Sequence, residues 1–108
     1  MPAKEQPWHS QLENALSQND FGLPENYLLR WSPLPPFDDW IIHVSSHNHD
    51  AAVIVTANQM FLSENLISLL NENAAGRLIK IIATPQEREI EKGILELISN
   101  YSIHLLRY

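Results

Sequence analysis

Ala51-Ala-Val-Ile-Val-Thr-Ala57 is almost continuous in apolar residues and β-branched at its centre. A strand covered on both faces has that composition. Leu62, Leu66, Leu69 and Leu70 follow at helical spacing, Gly76 is the expected stop, and Leu78-Ile-Lys-Ile-Ile-Ala83 reads as a second buried strand. A strand, a helix and another strand of this kind form a parallel crossover unit, and the rest of the chain is placed against it.

Downstream, Thr84-Pro-Gln-Glu87 has the form of a capping box, with proline preset for the first helical turn. Ile90, Ile94, Leu97, Ile98 and Tyr101 then predict one helical stripe, with Glu87, Glu89 and Glu91 near its positive end and Gly93 as a weak interior position. Ser102 to Tyr108 closes the chain as a strand. Upstream, Asp38-Asp-Trp-Ile-Ile-His-Val-Ser-Ser46 alternates, with Trp40, Ile42 and Val44 on one face and Ile41 and His43 on the other. The polar run Ser46-His-Asn-His-Asp50 turns it back into Ala51 as a hairpin. Asn58 or Ser63 is the candidate N-cap of the crossover helix.

Further back, Ser32-Pro-Leu-Pro-Pro-Phe37 loses backbone donors at its three prolines and reads as a stiff connector between strands. Tyr27 to Trp31 reads as the first strand. Trp8, Leu12, Ala15 and Leu16 form the stripe of a short helix ended by Asn19, Asp20 and Gly22. Residues 1–7 read as a flexible lead-in and 8–108 as a single small α/β domain. The expected architecture is a mixed sheet of four to five strands. Its parallel βαβαβ core spans about 51–106 and is preceded by a helix and an antiparallel hairpin. No repeat or low-complexity tract interrupts it.

The chain has 108 residues, room for one core. Thirteen acidic against seven basic side chains give a formal charge of −6, and the cations form no stripe, so neither nucleic acid nor an anionic membrane surface is expected as a partner. Cysteine is absent, which removes disulfides, thiolate metal sites and a cysteine nucleophile. The first residues lack a signal-peptide pattern, and no apolar run approaches the roughly 20 residues of a membrane span. A soluble, cytoplasmic protein is the expectation.

Candidate chemistry is sparse. His43, His47 and His49 with Asp50 lie close in sequence and are metal-ligand types. The His-Asn-His-Asp run is similar to the His-x-His-x-Asp-His signature of metallo-β-lactamase-type hydrolases, although its Asp is displaced and the final His is missing. Asp38 and Asp39 are paired acids at a strand entrance. Here the order α-β-β-β-α-β resembles that of the PD-(D/E)XK nucleases, which implies a first acid near the second strand and a Glu-x-Lys on the third. Asp38 or Asp39 could stand for the first acid, but residues 51–57 hold neither Glu nor Lys, so an active nuclease is not expected. The two acids are then expected to solvate a strand entrance. Three glycines, none at the strand tips, leave no phosphate-cradling loop, and no cofactor is expected.

A small acidic interaction protein remains: an adaptor, inhibitor or immunity-type factor that docks to a protein partner or to itself. No catalytic residue is assigned to it. Trp8, Trp31 and Tyr108 are its candidate contact residues, because exposed aromatics anchor interfaces. The alternative is a metal-dependent hydrolase or nuclease-related protein using His43, His47, His49 and Asp50.

Overall fold

A computed structural model describes residues 7–19, 21–74 and 78–108. The element order is α1 (Pro7–Gln18), β1 (Leu28–Pro33), β2 (Trp40–Ser46), β3 (His49–Thr56), α2 (Glu64–Asn73), β4 (Ile79–Thr84), α3 (Lys92–Asn100) and β5 (His104–Arg107). The five strands form one mixed sheet in the spatial order β1-β2-β3-β4-β5. β2 pairs antiparallel with β1 and β3, whereas β3–β4 and β4–β5 are parallel, with Val53 beside Lys80 and Ile82 beside Leu105. The domain is therefore the expected small α/β unit, with five strands.

Alternation along the strands divides the interior in two. Ala52 and Ile54 of β3 with Ile42 and Val44 of β2 pack on Leu12 and Leu16 of α1. Val53, Val55 and Ile82 face Leu66, Ile67 and Leu70 of α2 and Ile98 of α3. Both parallel crossovers step the same way across the sheet, so the right-handed rule puts both helices on one face and leaves the other for α1.

β2 and β3 are joined by a two-residue turn, His47 and Asn48, at φ 53° and 65°. Paired left-handed residues are what a tight hairpin following strand twist needs. β3 consequently starts at His49, two residues earlier than Ala51. The proline-rich segment is a connector as expected, closed by Leu34 N–H to Asp39 O at 2.9 Å and Phe37 N–H to Leu34 O at 3.1 Å. β1 runs on to Pro33, which an edge strand tolerates.

The capping box is a correction. The last helix begins at Lys92 with Glu91 as N-cap, not at Pro85. Thr84 is buried at the end of β4, and its hydroxyl donates to Ala57 O at 3.4 Å. Gln86 N–H continues the sheet by donating to Tyr108 O at 2.9 Å. Arg107 Nη1 takes the carbonyls of Pro85, Gln86 and Arg88, so segment 85–91 is tied down in non-helical form. Ser63 precedes α2 without a side-chain cap bond. The lead-in residues 1–6, and Asp20 and Gly76 as expected helix stops, lie outside the described residues; Pro7, counted with the lead-in, is the first residue of α1.

Candidate functional site

The tips of β3, β4 and β5 and the start of β2 lie at one end of the sheet, because β2 alone runs against the others. In open α/β sheets this end gathers polar loops. Asp39, just before β2, is fully buried there. Its Oδ1 accepts from the Thr56 hydroxyl at 2.7 Å and from Asn58 N–H at 2.5 Å. Its Oδ2 accepts from Gln59 N–H at 2.8 Å and Met60 N–H at 2.7 Å. A carboxylate has about four acceptor positions, and all four are occupied. Thr56 Oγ1 in turn accepts from Trp40 N–H at 2.9 Å, which locks the entry of β2 to the exit of β3. The expectation that both acids solvate the strand entrance is corrected for Asp39: a sealed carboxylate is stable only when hydrogen-bonded, and here it organises a loop.

Asp38 extends the network. Its N–H donates to Gln59 Oε1 at 2.5 Å, and its Oδ2 accepts from Trp8 Nε1 at 2.8 Å and from Asn58 Nδ2 at 3.4 Å. Asn58 Oδ1 accepts from the Tyr108 hydroxyl at 3.0 Å. On the far side of the same loop Arg88 donates through Nη1 to Met60 O at 2.6 Å and through Nη2 to Asn58 O at 3.0 Å. Residues 58–60 are thus held by a carboxylate on their N–H groups and a guanidinium on their carbonyls. Burial pushes the Tyr108 phenol well above its ordinary range; the Asp39 carboxylate adds to this, Arg88 opposes it, and Asp38 raises it further.

Trp8, Trp31 and Tyr108 come together. Trp8 stacks on Tyr108 with centroids 5.4 Å apart and meets Trp31 edge-on at 6.3 Å. All three are half-buried against the α1 side of the core. His9, to which the sequence assigned nothing, is buried among them, stacked on Trp31 at 4.2 Å and edge-on to Trp40 at 5.1 Å. Its neighbours are remote in sequence, and only the adjacency of His9 to Trp8 hints at the cluster.

The histidine group is dispersed along the hairpin. His43 is half-buried within β2, His47 occupies the exposed turn, and His49 and Asp50 are successive exposed residues of β3, whose side chains point to opposite faces. Among the described residues no group of three or more His, Asp or Glu is placed to hold a metal ion. No described helix is long and apolar enough to cross a membrane. A cavity of about 720 Å³ between Leu16, Tyr27, Leu28 and His47 lies at the opposite end of the sheet from the Asp39 network.

Two aromatic side chains project from the loops that Asp38 and Asp39 join. Phe37 is 48% exposed and Phe61 is 86% exposed. Comparison of the chain with family models, curated proteins and solved structures gave no match.

Proposed function

We propose that this chain is a non-catalytic docking protein, an acidic adaptor, inhibitor or immunity-type factor, which binds another protein through the loop end of its sheet. The observation that carries the reading is Phe61, 86% exposed beside a loop whose backbone is fixed from both sides. Burying a phenylalanine side chain stabilises by roughly 1.5–3 kcal/mol. Here the fixed backbone of residues 58–60 holds it away from the core, so that stabilisation is left for a partner. Preorganised aromatic residues are also the side chains that dominate binding energy at interfaces. Phe37 on the adjoining loop is a second exposed aromatic residue, and Trp8, bonded to Asp38, stands half-buried with Trp31 and Tyr108 on the α1 side of the sheet.

Occupied lone pairs on Asp39 argue against its service as a metal ligand or proton carrier, since either role would release a loop amide or the Thr56 hydroxyl. The test is affinity purification from the source cell, followed by reconstitution of the complex from purified components. A stoichiometric protein partner is expected, bound at least about 30-fold more weakly by Phe61→Ser, the loss corresponding to a hot spot of about 2 kcal/mol. A monomer that retains no protein contradicts the reading. So does stoichiometric zinc, manganese or iron that is lost on His47→Ala/His49→Ala substitution.

A further inference from the structure

Phe61 stands at one side of a groove of about 470 Å³ between the β3–α2 loop and the segment leading into α3. Leu62, Ile90 and Ile94, all half-buried, give the groove apolar walls. Its rim is acidic: Glu89 and Glu91 line it, and Glu64 and Glu87 are exposed on the same two segments. Arg88 also lines the groove but is turned onto the carbonyls of Asn58 and Met60, Arg107 is held on the carbonyls of Pro85, Gln86 and Arg88, and Lys92 is exposed. Failure of the capping box creates this arrangement, because a helix beginning at Pro85 would have wound Glu87, Glu89 and Glu91 around its own first turns. Held in non-helical form by Arg107, the segment sets its acids beside the groove.

We infer that this groove receives an apolar segment of a partner protein flanked by lysine or arginine; the inference rests on the docking reading above and names its site and the chemistry of its partner. Apolar walls with an exposed aromatic side chain supply affinity, and the predominantly acidic rim selects against acidic segments and speeds encounter. The formal charge of −6 favours the same sign of partner.

The test is an NMR titration of the isotope-labelled chain with a synthetic amphipathic peptide of leucine and lysine, and with its leucine–glutamate counterpart. The lysine peptide is expected to shift the amides of Phe61 to Glu64 and Glu89 to Ile94. Its affinity should fall at least about tenfold in Phe61→Ser and several-fold in Glu89→Gln/Glu91→Gln. The rest of the spectrum should show the fold unchanged in both variants. The inference is overturned if the lysine peptide leaves these amides unmoved, if Phe61→Ser binds it as well as the parent, or if the glutamate peptide binds equally. It is also overturned if the same amides shift when the free chain is diluted, for the occupant would then be a second copy. A partner captured by the parent chain and retained by Phe61→Ser removes the groove but leaves docking in place. Absence of any partner removes docking whatever the peptides do.

Discussion

Removing Asp39 would strand three successive backbone N–H groups and a buried hydroxyl, and such orphaned donors cost about 1–3 kcal/mol each. Asp39→Asn, which turns one acceptor into a donor, should therefore destabilise the fold by about 3 kcal/mol in urea unfolding and speed amide exchange at Asn58 to Met60. A loss under about 1 kcal/mol would show that the carboxylate is not what fixes the loop. Tyr108 gives a second residue-scale test. Its phenol is held above the ordinary value of 10.0, first by burial and then by Asp39. The protonated form is thus favoured in the folded state, so its contribution to stability is complete below the unfolded value and is lost as pH rises through the folded one. Tyrosinate absorbance should show a late-ionising group in the native protein that is missing in Tyr108→Phe, and that variant should lose less stability than the parent between pH 10 and its alkaline unfolding. An identical alkaline profile in both proteins would contradict the assignment.

Among the elements, α3 is the one whose beginning the sequence misstates. Gly93 is its second residue, not an interior one, and a Cβ there would meet nothing within 4 Å. Gly93→Ala should raise stability by about 0.4–1 kcal/mol in denaturant unfolding, mainly by restricting the unfolded chain, and a decrease would contradict the placement. β3, β4 and the hairpin were legible because alternation and apolar runs are local patterns that burial on two faces enforces. Trp40, Ile42 and Val44 do share the α1 face. The start of α3 was not legible, because Arg107 and Tyr108, some twenty residues later, compete for its backbone. For the same reason Asp39 read as a solvated acid: three of its four donors are backbone N–H groups, which carry no side-chain signature. The one hint is positional, since an antiparallel hairpin with Asp39 at its entry and Thr56 at its exit must bring the two together.

At the scale of the whole molecule, sequential strand order with a single reversed strand collects the loops around Asp38, Asn58, Arg88 and Tyr108 at one end of the sheet. That end could have been a reaction centre. Its polar groups instead bond mainly to one another, while Phe37 and Phe61 stay exposed. The docking role proposed above predicts that this end holds a partner. The most direct measurement is the mass, by sedimentation, of the purified chain mixed with the protein it captures, for the parent and for Phe37→Ser/Phe61→Ser. A defined complex that dissociates in the double variant, while melting of the free chain is unchanged, is the predicted result. A parent chain that sediments alone, or a complex indifferent to both substitutions, would contradict the account.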